Sequence, residues 1–223
     1  MKICVLIPAY NEAEHLDTLL AEVTPFVQDV IVVDDGSEDG SSQVASARGA
    51  RVVRHEQNLG KGAALRTGFD YVLKGDWDAV ITMDGDGQHD PRDVPGFLAM
   101  AGNADVVIGN RMTDPRNMPL VRLLTNKGMS LLISLLTRQK IPDTQCGFRL
   151  MTRKVLKNLV FATSNFESES EILIAACKDK YTVVSVPIQT IYRQEKSKIR
   201  PVRDAVRFLK LILKGPHGRT KKR

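Results

Sequence analysis

The sequence predicts an α/β fold, a mostly parallel Rossmann-like sheet with helices on both faces. Three observations predict it. Short apolar runs rich in Val and Ile, such as DVIVV and DAVITM, read as strands buried on both sides. Stretches with apolar residues three and four apart alternate with those runs, giving repeated βα units. Polar clusters of Asp, Asn and Gly follow the strands, at the sheet edge where ligands of such folds bind.

Residues 3–7 form the first strand, which Pro8 ends. Asn11 is placed to cap a helix whose Leu16, Leu19, Leu20 and Val23 share one side. Residues 29–33 make the second, β-branched strand. Gly40, Ser41 and Ser42 open a short helix that Gly49 closes, and 51–54 is the third strand. A helix over 61–73 stops at Gly75. The fourth strand, 78–83, runs into the polar stretch DGDGQHDPRD; a helix near 94–101 and a fifth strand at 105–108 follow. The clusters PAYNE (8–12), DDGS (34–37) and DGD (84–86) should therefore converge on one edge.

The chain has 223 residues, 43% hydrophobic and 26% charged, enough for one core without disulfides or structural metal. No run of about 18 apolar residues is present, which predicts that no segment spans a membrane. The opening MKICVLIPAYNE reads as a strand and not as a signal peptide. Cys4, Cys146 and Cys177 have no CxxC partner, so reduced thiols in a cytoplasmic setting are expected rather than disulfides or zinc ligands.

Charge is uneven. Residues 200–223 hold nine Lys or Arg and one Asp, whereas the whole chain is only +6, so the other 199 residues are slightly acidic. This divides the chain into a domain at 1–199 and a basic arm at 200–223. Val202, Ala205, Val206, Leu209, Ile212 and Leu213 follow helical spacing, with Arg203, Arg207, Lys210 and Lys214 on another side, until Gly215 and Pro216. Such a C-terminal amphipathic basic helix suits an anionic membrane surface, although a docked terminal helix with a solvated side has the same pattern. Nucleic acid is not expected, because the body is not basic.

Asp84 and Asp86 are the sharpest chemical feature. At i and i+2 on an extended end, their carboxylates can face the same way, and Gln88 adds a third oxygen two residues on. Hard oxygens beside glycines suit Mg²⁺ or Mn²⁺ shared with phosphate, although Asp-Gly pairs also make plain turns. Calcium loops fail: the loop opening at Asp35 has Ser46 where Glu is required, and the Asp84 segment has His89 where Gly is required. Asp34 and Asp35 end a buried strand, where an acid can meet ribose or base, or a helix N-terminus. Asn58–Leu59–Gly60–Lys61–Gly62 opens a helix and could face an anion, yet lacks P-loop spacing; no GxGxxG follows the first strand.

Taken together and in order, PAYNE, DDGS, NLGKG (58–62) and DGDGQ (84–88) resemble family 2 inverting glycosyltransferases of GT-A fold, over roughly 2–199. Gly109–Asn110–Arg111, DTQCGFR (143–149), Arg193 and Ser197–Lys198 bring the resemblance nearest to polyprenyl- and dolichyl-phosphate hexose synthases. The resemblance implies that Pro8, Tyr10, Asn11, Glu12, Asp35 and Lys61 hold a nucleotide-sugar donor, with Asp84 at the ribose and the metal. It implies Mg²⁺ or Mn²⁺ held by Asp84, Asp86 and Gln88. It places Arg111, Arg122 and Asn126 at the acceptor phosphate, Asn126 standing where some members have Ser. Arg193 and Lys198 match a basic pair closing over the diphosphate. Transmembrane helices that follow the domain in many members are not expected here, so a separate membrane protein is a conceivable partner.

Transfer to a polyprenyl phosphate needs alignment and Arg contacts more than a base, since that acceptor is already anionic. Arg193, Lys196 and Lys198 could stabilise charge on the leaving diphosphate. A hydroxyl acceptor would need a base, and Asp143, Glu167, Glu169 and Glu171 are the candidates. Residues 120–136 form a long apolar surface interrupted by Arg122, Asn126 and Lys127, suited either to a membrane interface or to a core helix. The expectation is a metal-dependent hexosyltransferase, peripheral at the inner membrane face. UDP-glucose and GDP-mannose both fit as donors. Hydroxyl transfer, nucleotidyl transfer and an inactive lipid-binding module are the competing readings.

Overall fold

The computed structural model describes residues 1–116, 118–161, 163 and 168–191. The predicted C-terminal helix, Glu167, Arg193, Lys196 and Lys198 lie outside them.

Seven strands form one sheet in the order β3-β2-β1-β4-β6-β5-β7. In chain order they are β1 (Ile3–Ala9), β2 (Val30–Asp34), β3 (Arg51–Arg54), β4 (Ala79–Thr82), β5 (Val106–Asn110), β6 (Arg149–Thr152) and β7 (Val183–Pro187). All pairings are parallel except those of β6, which runs against both β4 and β5. The helices are α1 (Ala13–Val23), α2 (Ser41–Ala47), α3 (Lys61–Lys74), α4 (Val94–Met100), α5 (Leu120–Thr137), α6 (Arg153–Asn158) and α7 (Ser168–Lys178).

The central strands are apolar because both faces are covered. Cys4 to Ile7 on β1 and Ile31 to Val33 on β2 are wholly buried. Leu16, Leu19, Leu20 and Val23 of α1 pack into that core, each burial contributing roughly 1.5–3 kcal/mol. β1 extends through Pro8 and Ala9, which pair with Val33 and Asp34, so the first polar cluster begins inside the strand. Asn11 does not cap α1. Its φ of 54° turns the chain, and Asp39 Oδ2 accepts from Ala13 N at 2.9 Å while Ser41 Oγ accepts from Glu12 N at 3.0 Å.

β6, α6 and β7 are additions to the elements read from sequence. β6 fills the slot between β4 and β5, and Arg149 at its start faces Thr82 and Ile108 at their carboxyl ends. The chain entering β6, residues 143–148, is thereby laid across the ligand edge.

Helix α5 carries the apolar surface read from residues 120–136. It is 18 residues long with a mean hydropathy of 1.2, long and apolar enough to cross a membrane by length and composition, and only 17% of it is buried. Its Ser, Thr and Gly residues break any pure apolar run without making the helix polar. Leu120, Val121, Leu124, Leu131, Leu135 and Leu136 are each more than half exposed, whereas Asn126, Ser130 and Ile133 face the body.

Candidate active site

The polar clusters meet at the carboxyl ends of β1, β2 and β4. Asn11 N donates to Ser37 Oγ at 2.9 Å and Asn11 Oδ1 accepts from Glu38 N at 3.0 Å, joining the first two loops. Gly36, at φ +77°, lies so close to residues 57–58 that a Cβ would stand 2.6 Å from the Gln57 carbonyl carbon. Gly85 touches Pro8 and Ala9, bringing the acidic turn beside β1.

Asp34 is wholly buried and internal. It accepts from Ser37 N and Ser42 Oγ and lies 3.7 Å from Arg54. Burial alone would raise its carboxyl; the Ser37 and Ser42 donors outweigh burial and hold it below the usual range. Asp35 is also buried. It accepts from Leu59 N at 2.9 Å and Gly60 N at 2.7 Å and pairs with His55 Nδ1 at 2.7 Å, while His55 Nε2 meets Thr67 Oγ1 at 2.9 Å. Asp35 thus ties β2 to the loop that opens α3. Tyr10 is 41% exposed beside it, presenting a ring to whatever enters the edge.

Asp84 and Asp86 leave β4 in the acidic turn. Lys61 Nζ sits 2.6 Å from Asp84 Oδ1 and 2.6 Å from Glu169 Oε1, so the start of α3 and the start of α7 clasp the turn. Burial would raise Asp84, but the Lys61 ammonium holds it well below the ordinary carboxylate range. Asp86, whose Oδ1 accepts from Gln88 N at 3.0 Å, is raised by burial and by Asp84 beside it. Two half-buried carboxylates that repel one another are a donor pair suited to a divalent cation only if a ligand supplies further oxygens, since among the described residues no three His, Cys, Asp or Glu side chains are grouped to hold a metal ion. Gln88 is half-buried in the same turn.

His89 and Gly147 brace this turn. His89 is buried, stacks on Phe148 at 5.1 Å, and its Nδ1 accepts from Asp84 N at 3.2 Å. Burial lowers its pKa, which suits a neutral ring. At Gly147 a Cβ would stand 2.7 Å from Asp84 Oδ1, so only glycine lets residues 143–149 pass. Arg149, also buried, threads that segment from within, donating to the carbonyls of Cys146 (2.7 Å), Glu169 (2.6 Å) and Thr144 (2.9 Å).

Arg111 and Asp143 are brought together, away from solvent. Arg111 Nε and Nη2 donate to the Asp143 carboxylate at 2.7 and 2.9 Å, and Arg111 N donates at 3.2 Å. Burial would raise Asp143; the Arg111 guanidinium overrides it and keeps the carboxyl low, which suits an ion-pair partner better than a base. Glu171 Oε2 accepts from Thr163 N at 3.0 Å and Thr163 Oγ1 at 2.8 Å, so this candidate base holds the chain before α7. Arg122 is half-buried near the start of α5, and Asn126 is buried with Nδ2 4.0 Å from Met118 Sδ. Ser130 Oγ of α5 meets Thr144 Oγ1 at 3.2 Å, which links α5 to the edge of the acidic turn.

Sequence reasoning overlooked His55, His89, Gly147 as a spacer, Arg149 and the Lys61–Glu169 contact. Gly147–Phe148–Arg149 was visible as a motif, but its partners come from distant elements.

The Glycosyl transferase family 2 model matches residues 4–160. The chain is 31% identical over 217 residues to a UDP-N-acetylglucosamine–dolichyl-phosphate N-acetylglucosaminyltransferase of Methanococcus voltae, covering 86% of each chain. It is 31% identical over 206 residues to the polyprenol monophosphomannose synthase of Mycolicibacterium smegmatis, covering 85% of this chain and 77% of that one. Among solved structures, the fold is shared with glucosyl-3-phosphoglycerate synthase of Mycobacterium tuberculosis in complex with Mn²⁺, UDP and phosphoglyceric acid. The TM-score is 0.73 and the identity 23%, over 95% of this chain and 76% of that one.

Proposed function

The chain belongs to glycosyl transferase family 2 and is a glycosyltransferase, and from that premise we propose that it moves a hexose or hexosamine from a nucleotide sugar to a polyprenyl phosphate at a membrane surface. Its named relatives are dolichyl- and polyprenyl-phosphate sugar transferases. The observation that carries the reading is the path of residues 143–149. Asp143 pairs with Arg111, Thr144 meets Ser130 of the half-exposed α5, and Gly147 touches Asp84. One segment thereby couples an apolar helix suited to lipid with an acidic turn suited to a nucleotide diphosphate.

Loops 8–12 and 34–37 form the donor floor, with Tyr10 as a stacking surface. Asp86, with Asp84 and Gln88 beside it, would hold Mg²⁺ or Mn²⁺, which when bound supplies Lewis-acid stabilisation to the departing nucleoside diphosphate. Ile191 N donates to Gln88 O at 3.0 Å, so the described chain ends alongside that turn. Arg193 and Lys198 are proposed to meet the charge of the diphosphate.

Arg122, at the α5 end that carries Asn126 and Lys127, is proposed to take the acceptor phosphate. Arg111 then supports the site through Asp143. The acceptor phosphate attacks as an anion, so no carboxylate is required as base. The exposed leucines of α5 and the arm at 200–223 are proposed to seat the enzyme on the inner, anionic leaflet.

Purified protein given labelled UDP-glucose, UDP-N-acetylglucosamine or GDP-mannose with Mn²⁺ should move label into the organic phase only when polyprenyl phosphate is present. Label transferred to a water-soluble hydroxyl acceptor, with none to the lipid, would sink this acceptor assignment.

A further inference from the structure

Within the described site, Lys61 is the ammonium that two carboxylates share. It lies 2.6 Å from Asp84 Oδ1 and 2.6 Å from Glu169 Oε1. All three groups are largely withdrawn from water: the Lys61 side chain is 20% exposed, Asp84 26% and Glu169 7%. Ion pairs so placed are screened little and hold their geometry. Pro8, Leu65, Phe69, Met151 and Ile172, together with Arg149, line the small cavity beside this contact. On the other side, Gly147 presses the Asp84 carboxylate, with a would-be Cβ at 2.7 and 2.9 Å from its two oxygens. Asp84 is therefore held between Gly147 and Lys61. Asp86 has no such clasp; its Oδ1 takes only its own turn's Gln88 N among the described hydrogen bonds.

Charge sharpens the contrast. Three carboxylates (Asp84, Asp86, Glu169) face the Lys61 ammonium and the buried Arg149 guanidinium, which leaves one negative charge to attract a cation. His89 adds none, since its Nδ1 accepts from Asp84 N and so carries no proton there. Arg111 and Asp143 cancel each other.

We propose that Lys61 and Glu169 form a latch on Asp84: the ammonium occupies its carboxylate, Glu169 holds the ammonium in place, and an incoming divalent cation is left to Asp86. Glu169 is thus a positioning residue acting through Lys61, not a proton acceptor. Its Oε2, buried and without a hydrogen-bond partner among the described residues, fits a carboxylate oriented by one strong contact at its other oxygen. The latch rests on Asp86 being a cation ligand, and its test does not use transfer activity.

The test is Mn²⁺ binding to the purified chain without nucleotide, read from the free Mn²⁺ signal in electron paramagnetic resonance. Lys61→Met combined with Glu169→Gln removes one charge of each sign, so the net charge of the site is unchanged. Through-space electrostatics alone then predicts only a modest tightening, because the lost ammonium acts on Asp86 and the lost Glu169 carboxylate does not. The latch predicts binding about tenfold tighter, because Asp84 is released to the cation. It also predicts that Asp84→Asn costs about tenfold more affinity in that background than in the wild type, a non-additivity expected only of groups in contact. Equal affinity of wild type and double variant, including no binding by either, overturns the latch, as does an equal cost of Asp84→Asn in both backgrounds. Asp86→Asn separates the two failures: if it abolishes Mn²⁺ binding while the cycle is additive, the latch falls and the cation assignment stands.

Should the double variant not fold, Glu169→Gln alone provides the second measurement. The Lys61 ammonium should give a slowly exchanging ¹⁵N–¹H resonance in the wild type, lost or broadened in Glu169→Gln. A resonance unchanged by that substitution rejects the positioning role.

Discussion

Single residues carry the most decisive expectations. Asp86→Ala should reduce sugar transfer by at least about a hundredfold if a divalent cation stabilises the leaving group there; near-wild-type turnover with Mn²⁺ would reject that ligand. Gly147→Ala should cost about 1–3 kcal/mol in urea unfolding and reduce turnover together, because its methyl group has to displace the Asp84 carboxylate. Asp143→Ala separates a base from a brace. Removing it leaves Arg111 buried without that carboxylate, so stability should fall by about 3–5 kcal/mol, whereas a base could be lost with the fold intact. That Asp84, Asp86 and Asp35 gather at one edge of the sheet was legible because acids at strand ends are visible in a sequence, whereas the partners that occupy Asp35 were not. Lys61 with Glu169, and Arg111 with Asp143, were legible only as separate candidates with other roles. What each long side chain meets is set by the sheet order, and no local spacing encodes it. Asn11 failed as a cap for a related reason: Asp39 and Ser41 arrive from another loop and take the donors first.

Elements were readable where packing is local. The first five strands and four helices follow hydrophobic period, and their observed ends shift by only a few residues. The four-residue β6 has Arg149 as its first residue, and β7 is less buried than the central strands, so neither has the apolar run that identifies β1 or β2. Helix α5 was recognised as apolar, but its burial could not be read from sequence, since a core helix and an interfacial one share a pattern. Its exposed face gives a clean test. Leu131→Glu with Leu135→Glu should leave thermal stability nearly unchanged, within about 0.5 kcal/mol per site, since both side chains are largely in solvent. The same pair should sharply reduce transfer to polyprenyl phosphate in bilayers and weaken vesicle flotation. Unchanged flotation would reject α5 as the lipid-facing element.

At the scale of the whole molecule, acid should act through the buried carboxylates and the buried His89. Asp34 and Asp143 have pKa values below the ordinary 3.8 in the folded state. Their stabilising contribution is therefore fully present above the unfolded value and is lost as pH falls through the lower, folded one. The melting temperature should begin to decline below about pH 6.5, where unfolded His89 takes a proton that burial denies the folded ring, and drop further below about pH 4 as the two carboxylates protonate; a profile flat down to about pH 4 would reject the buried neutral His89. The order of strands has a further consequence, for the chain as it leaves the ribosome. β4 and β5 never touch: the strand that joins them, β6, is synthesised after both and after the whole of α5. Until residues 149–152 emerge, the growing polypeptide holds a four-stranded half with β4 as a bare edge, and β5 has no neighbour to pair with. The same late segment lays Gly147 against Asp84. Emergence of this segment thus joins the two parts of the sheet and closes one side of the acidic turn in one event, before β7 and Glu169 of α7 follow, and a nascent chain stalled before it exposes both an unpaired strand and the apolar flank of α5 to chaperones.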